Sequence, residues 1–172
     1  MKRQITVVSS IVIALACACA FQSASAAKKE KSGEAKSGSV SAADKKFAEN
    51  AAKGGMMEVA MGKAAADHSQ NSDVKKFGNR MVKDHSKAND ELKSIASKKG
   101  IALPSEGPSH DFTNDAAYMQ MMVKDHQKDL AEFQKEAQNG SDPDLKKFAD
   151  KTAKVVSEHL AMAKDINSKL KH

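Results

Sequence analysis

The chain has 172 residues and a formal net charge of +6 at pH 7, with 40% hydrophobic and only 4% aromatic residues. This length favours one domain with appendages, and the absence of Trp predicts a core of aliphatic side chains, Ala, Met and a few Phe. The basic residues lack the clustering with aromatic residues that marks a nucleic-acid surface, so we expect no nucleic-acid partner.

The first 26 residues have the organisation of a secretory signal peptide. Lys2 and Arg3 precede an apolar run over residues 5–21, and residues 24–26 supply the small Ala-Ser-Ala of a cleavage site. The run is short for a membrane-spanning helix, and no longer apolar run follows. We therefore predict export, to the periplasm or in association with the outer membrane, and no transmembrane segment in the mature chain.

Both cysteines, Cys17 and Cys19, lie within this signal. Cleavage would leave the mature chain without a thiol, which excludes disulfides and thiolate metal ligands. Lipidation at Cys17 is the less favoured alternative, because a lipoprotein signal usually has a larger aliphatic residue where this chain has Ala.

The mature chain begins with a linker and continues with four helices. Residues 27–40 are rich in Lys, Ser and Gly and predict a disordered linker. Residues 41–172 predict a helical domain whose helices are bounded by capping residues, Gly and Pro. The predicted helices run from Ser41 to about Ser69, from Asn71 to Lys99, from Asp111–Thr113 to just before Gly140, and from Pro143 to about Leu170.

No segment shows the alternation of a half-buried strand. Four helices of similar length, joined by two tight turns and one long loop at residues 101–112, predict an all-α up-down-up-down four-helix bundle. In such a path both tight turns lie at the same end of the bundle.

Each predicted helix carries one titratable residue in the middle of its apolar stripe. These residues are Glu58, His85, His126 and His159. Counting from the two tight turns at about 1.5 Å per residue, the first three share a level, and His159 lies about 7 Å further along. Burying such groups without partners would cost several kcal/mol in total, so something must satisfy them.

A metal ion is the interpretation we favour. Imidazole and carboxylate ligands suit one transition-metal ion such as Fe, Mn, Zn or Cu, with Glu58, His85, His126 and His159 as the ligands. An acid precedes each histidine, and each acid could orient the imidazole of a neighbouring helix. These acids are Asp84, Asp125 and Glu158. One alternative is a metal-free layer of hydrogen bonds among the same residues. The other is that the buried helix faces are misassigned and some of the histidines are exposed.

Methionines recur beside the histidines. Met81 and Met122 stand four residues before His85 and His126, which places thioether and imidazole on one helix face. Such a soft set could hold Cu(I), and both methionines are alternative ligands. Methionine is also an ordinary core filler, and packing is the interpretation that we prefer.

The motif Met-Val-Lys-Asp-His occurs twice, at Met81 and Met122. With its surroundings it resembles a bacterial family, the domain of unknown function 4142. The similar segments are GGMMEVAMGKAA from Gly54, RMVKDHSKANDEL from Arg80, YMQMMVKDHQKDLAEF from Tyr118 and EHLAMA from Glu158. The resemblance extends from Ser41 to the C-terminus and implies an exported or outer-membrane protein with a ferritin-like bundle.

The chain departs from the ferritin-like di-iron pattern, which has Glu on two helices and Glu-x-x-His on the other two. Val82 and Val156 stand three residues before His85 and His159, so the carboxylates that bridge two irons are missing. This speaks against a ferroxidase and favours a mononuclear site or a bundle that has lost its metals.

These patterns predict a metal-binding or stress-related accessory protein of the cell envelope rather than an enzyme. One alternative is a non-catalytic helical module that binds an envelope protein partner through a bundle with a metal-free polar layer. The other is a redox or hydrolytic metalloenzyme, although no known catalytic motif is present.

Overall fold

The computed structural model describes residues 40–171, which form four long α-helices. They are α1 (Ala42–His68), α2 (Ser72–Lys99), α3 (Asp115–Asn139) and α4 (Pro143–Lys169). The predicted signal peptide (1–26) with Cys17, and the linker up to residue 39, lie outside the described residues. Within 40–171, no helix is long and apolar enough to cross a membrane.

Short polar side chains cap the N-termini of the helices, where they accept hydrogen bonds from the first free backbone N–H groups. The Ser41 hydroxyl accepts from the N–H of Asp44 at 3.1 Å. Asn114 accepts from the N–H of Ala117 at 2.9 Å, so α3 begins later than predicted. At the other end of α2, Gly100 adopts a left-handed conformation with φ of 64°, which glycine accommodates without strain.

Neighbouring helices are antiparallel around the ring α1, α2, α4, α3. Arg80 of α2 bonds Glu158 of α4, and eleven residues later Glu91 bonds Lys151, which lies earlier on α4. Because α3 and α4 also form an antiparallel pair, α2 and α3 run in the same direction.

The connection between α2 and α3 explains this arrangement. It starts at Ile101, which packs in the same apolar cluster as Phe47 at the beginning of α1. It passes the middle of α1 at Gly107, whose backbone is too close to Lys53 for a larger residue. It ends with Phe112 beside the ring of His68, at the far end of α1.

The path is therefore up-down-down-up, with the two tight turns at opposite ends. The predicted all-α four-helix bundle is confirmed, but the order of helix directions differs from the expected up-down-up-down path. Fifteen residues can extend to about 50 Å, whereas a 27-residue helix is about 40 Å long. The loop can thus cross the whole bundle, which its sequence does not reveal.

Two apolar clusters fill the bundle, one towards each end. The methionine cluster lies near the α1–α2 turn and contains Met57, Met61, Ala65, Val74, Phe77, Met81, Tyr118, Met119, Met122, Ala163 and Ile166. The phenylalanine cluster lies near the α3–α4 turn and contains Phe47, Ala48, Ala52, Leu92, Ala96, Ile101, Leu145, Phe148 and Ala149. The polar residues of the stripes lie between them.

Candidate metal centre

The four predicted residues meet in one polar layer (Glu58, His85, His126 and His159). They lie 10, 13, 11 and 10 residues, respectively, from their helix ends on the side of the methionine cluster. These positions differ by about 4.5 Å of helix rise. The 7 Å offset predicted for His159 was wrong, because it assumed that both tight turns lie at one end.

The three imidazoles pack against one another in the centre of the bundle. Their ring centroids are separated by 5.7 Å (His85–His126), 5.2 Å (His85–His159) and 5.5 Å (His126–His159). His126 and His159 have no exposed surface, and His85 is 5% exposed. One nitrogen from each ring lies within 4.8 Å of the others.

Each ring is held through one of its two nitrogens. Nδ1 of His85 lies 3.0 Å from a carboxylate oxygen of Glu58, and Nδ1 of His126 donates to the carbonyl of Met122 at 3.0 Å. Nε2 of His159 lies 2.9 Å from a carboxylate oxygen of Asp84. The other nitrogen of each ring has no hydrogen-bond partner. In the tautomers that these bonds favour, each free nitrogen carries a lone pair.

Burial keeps the three imidazoles neutral. It lowers the pKa of His85, His126 and His159 to about 4 in each case, because a charged ring is poorly solvated inside the bundle. The nearby charge of Glu58 opposes this effect at His126. Near pH 7 the layer therefore presents neutral imidazoles, the form in which histidine binds metals.

Glu58 lies at the edge of the three-histidine group. It is 2% exposed, and its second oxygen is 3.5 Å from Nδ1 of His126. Burial raises the pKa of Glu58 to about 7, and the interaction with His126 opposes the rise. The shortest contact of Glu58 is with His85. Glu58 is therefore placed to orient a metal-bound histidine at least as well as to bind the metal directly, which was its predicted role.

Of the three acids predicted to orient imidazoles, Asp84 holds His159 on the neighbouring helix. Burial raises the pKa of Asp84, but the hydrogen bonds from His159 and Arg80 outweigh it and leave the pKa below its usual value. Glu158 is exposed and bonds Arg80. Asp125 is half-buried, and within 40–171 no hydrogen bond joins it to these imidazoles.

Two side chains near the site were not predicted. Arg80 donates to Asp84 at 3.1 Å and thereby fixes the acid that holds His159. Asp129 lies close to Glu58, and its pKa is raised to about 7, by burial first and by the charge of Glu58 second. Both follow the helical spacing of neighbours on one face, since Arg80 precedes Asp84 by four residues and Asp129 follows His126 by three.

The methionines beside the histidines pack in the apolar core. Met81 and Met122 are completely buried and belong to the methionine cluster, one turn from His85 and His126. Their place in the cluster agrees with the preferred interpretation as core fillers.

The layer fits a single ion of the kind that imidazole binds. Imidazole nitrogens bind Zn²⁺ at about 2.0–2.1 Å, which places them about 3.3–3.6 Å apart in a tetrahedral or trigonal site. A bound ion would draw the three rings slightly inward. Histidine ligands usually donate their other N–H to a carboxylate, a carbonyl or water, and all three rings have such a partner.

The family profile of the domain of unknown function DUF4142 matches residues 29–166. The chain belongs to the DUF4142 family. This confirms the resemblance drawn from the paired Asp-His motifs. No curated protein matches the sequence.

Two solved structures are similar to this DUF4142 bundle. A DUF305 fragment from Deinococcus radiodurans has a TM-score of 0.65 at 8% sequence identity, covering 77% of this chain and 99% of the fragment. CopM in its Cu(I)-bound form has a TM-score of 0.66 at 16% identity, covering 75% of this chain and 98% of CopM. At these identities the similarity shows the fold alone.

Proposed function

We propose that this protein is an exported metal-binding accessory protein of the cell envelope. Its bundle holds one transition-metal ion between His85, His126 and His159. The proposal rests on these three buried imidazoles. Each ring is held at one nitrogen and has no partner at the other. Leaving such groups unsatisfied costs about 1–3 kcal/mol each, and an ion would satisfy all three.

The donor set is compatible with Fe, Mn, Zn or Cu, the ions expected from the sequence. Two observations favour testing copper first. The methionine cluster adjoins the layer, and thioethers are soft ligands that prefer Cu(I). The similar bundle CopM has been solved with Cu(I) bound. Histidine ligands alone are equally suited to Zn²⁺.

The burial of the site favours holding or transferring an ion over catalysis. A catalytic metal keeps an open coordination position for water or substrate, whereas two of the three imidazoles have no exposed surface. Export follows from the predicted signal peptide at residues 1–26, and a ligand set without thiols suits an oxidising compartment.

The rival function is an interaction module with a metal-free polar layer. The bonds from Glu58 to His85 and from Asp84 to His159 favour it, because they satisfy part of the layer without any ion. The two proposals differ in what they require of the three free nitrogens, so metal binding separates them.

Metal analysis of the mature protein after periplasmic export tests the proposal. We expect about one equivalent of bound metal, and the same stoichiometry on titration of the metal-free protein with Zn²⁺ or, without oxygen, with Cu(I). His126→Ala should abolish tight binding, whereas His110→Ala, which changes an exposed loop histidine, should bind normally. No metal after export and no uptake on titration would reject the proposal and support the interaction module.

A further inference from the structure

An ion needs a route to a site as enclosed as this one. His126 and His159 have no exposed surface, so neither can receive an ion directly from solvent. His85 is slightly exposed and borders two cavities on opposite sides of the layer. Any route to the three imidazoles that uses these cavities therefore passes His85.

The two cavities differ in charge. The first, which we name the acidic cavity, has a volume of about 20 Å³, which is room for about one water molecule. Its lining includes Asn50, Gly54, Glu58, Asn89, Asp129 and Glu132, and no lysine or arginine of the described chain lines it. The second, the lysine-lined cavity, measures about 110 Å³, and its lining includes Asp84, Lys87, Glu91, Lys151 and Val155.

We infer that the acidic cavity is the route by which a metal cation reaches the histidines, with Glu58 as the last group that it meets before them. This inference rests on the proposed function. Glu58 lines the cavity and lies 3.0 and 3.5 Å from Nδ1 of His85 and His126. One of its oxygens is buried without a hydrogen-bond partner, so it can receive a cation at the inner end of the cavity.

Charge favours this side over the other. Clefts lined by one sign of charge concentrate ions of opposite sign and raise association rates. Glu132 and the ionised fraction of Asp129 continue the negative lining away from Glu58, and the basic partner of Glu132 is Lys128, at 3.8 Å on the surface. The lysine-lined cavity has no such excess of negative charge, because Lys87 and Lys151 offset Asp84 and Glu91.

Gly54 provides a way to close the acidic cavity without disturbing its walls. A Cβ atom added at Gly54 would meet no heavy atom within 4 Å, whereas at the neighbouring Gly55 it would collide with Asn89. Gly54→Leu should therefore place a side chain in the cavity and leave the ligands untouched. Leu and Ala both form helices better than Gly, so Gly54→Ala is a matched control that adds a single methyl group instead of a whole isobutyl side chain.

Stopped-flow mixing of the metal-free protein with Co²⁺, followed by the visible absorption of bound Co²⁺, tests the route. We expect Gly54→Leu to slow loading about tenfold or more without changing the final stoichiometry. Gly54→Ala should load faster than Gly54→Leu, and Val155→Leu, which narrows the other cavity, should load at nearly the wild-type rate. Glu132→Gln should weaken the dependence of the rate on salt concentration.

The failures of the two proposals are distinguishable. If the wild-type protein binds metal and Gly54→Leu loads as fast as Gly54→Ala, the route is wrong and the site stands. Slowing by Val155→Leu alone would assign the route to the lysine-lined cavity and also overturn the inference. If the wild-type protein binds no Zn²⁺, Co²⁺ or Cu(I), the metal site itself fails. Should it bind only Cu(I), transfer from a coloured Cu(I) chelator replaces the Co²⁺ signal in the same comparison.

Discussion

The polar layer and the α3–α4 turn both bury titratable groups, but they satisfy them differently. At the turn, Asp44 is 1% exposed and accepts hydrogen bonds from the N–H groups of Ser141 and Asp142, both at 3.0 Å. Its neighbour Glu136 is buried, and its pKa is raised to about 7, by burial first and by the charge of Asp44 second. We name this pair the turn latch (Asp44 and Glu136).

The difference lies in what burial does to an acid and to an imidazole. A buried carboxyl group avoids charge by keeping a proton, whereas a buried imidazole avoids charge by losing one. Glu136 follows the first course, and the histidines of the layer follow the second, which leaves a lone pair on each ring. Burial therefore makes the turn latch a structural element and the polar layer a set of potential metal donors.

We expect the largest effect on stability from a substitution of Asp44, which tests the structural role of the turn latch. Asp44→Ala leaves two N–H groups of the turn without their acceptor, and we expect a loss of about 3 kcal/mol in the free energy of unfolding, since hydrogen bonds to charged groups contribute about 1.5–3 kcal/mol each. Urea unfolding of the metal-free protein measures it. Asp44→Asn, which keeps one acceptor, should lose less. A marked change in metal affinity in either variant would contradict a purely structural role.

The second effect concerns the acid that holds His159. Asp84→Asn should weaken metal binding about 10- to 100-fold, because partners of metal-bound histidines typically contribute that much. Competition titration with a metal chelator measures the dissociation constant. Glu158→Gln is the control, since Glu158 bonds Arg80 and touches no imidazole. Equal losses in the two variants would show that the surface ion pairs matter rather than the contact with His159.

A third prediction tests whether the fold needs the histidines. Replacing Glu58, His85, His126 and His159 together by Leu should leave the metal-free protein as stable as before or raise its stability by about 1–2 kcal/mol, because apolar groups then replace both partners of the Glu58–His85 contact and the nitrogens that lack partners. Thermal unfolding measures the change. A large loss would indicate that the layer holds the bundle together by itself and would support the metal-free alternative.

The smallest expected effect is the pH dependence of the turn latch. The pKa of Glu136 is about 7 in the folded protein, against an ordinary value of 4.5, so its stabilising contribution is complete below about pH 4.5 and is lost as the pH rises to about 7. Gln cannot ionise. Glu136→Gln should therefore be more stable than the wild type at pH 8 by about 1–2 kcal/mol. This is less than about 1.4 kcal/mol per pKa unit would give for the full rise, because Glu136 borders an open surface cavity where solvent screens its charge.

At pH 4.5 the advantage of Glu136→Gln should vanish. Melting temperatures of the two proteins at both pH values give the comparison, and the titration of the histidines cancels in the difference. A constant advantage at both pH values would mean that Glu136 has an ordinary pKa in the folded protein.

Much of the bundle could be predicted from local sequence signals. Helix ends depend on residues within one turn, such as Ser41, Asn71 and Gly100, and the structure confirms them to within one or two residues. The start of α3 was less accurate, because several residues before Asn114 could also have capped it. At the start of α1 the Ser41 hydroxyl caps the helix, while the carboxylate of Asp44 reaches the α3–α4 turn, a contact that no local signal shows.

The sequence predicted which residues form the candidate site, but not the particular contact that each of them makes. A titratable residue in an apolar stripe is visible in the sequence, which is why Glu58 and the three histidines were found. The partner of each ring depends on which helices are neighbours. Asp84 orients an imidazole of a neighbouring helix, as predicted, but the sequence does not show that this imidazole is His159. Asp129 lies near Glu58 only because α1 packs beside α3.

The sequence by itself determined the four helices, their ends and the four polar residues in their stripes, because capping and periodicity act over a few neighbouring residues. Only the tertiary structure decided that α2 and α3 run in parallel, that all three imidazoles lie at one level, and that each has one nitrogen without a partner. Those properties depend on the path of the loop over residues 100–114 along the bundle, and many paths are compatible with a flexible connection of that length.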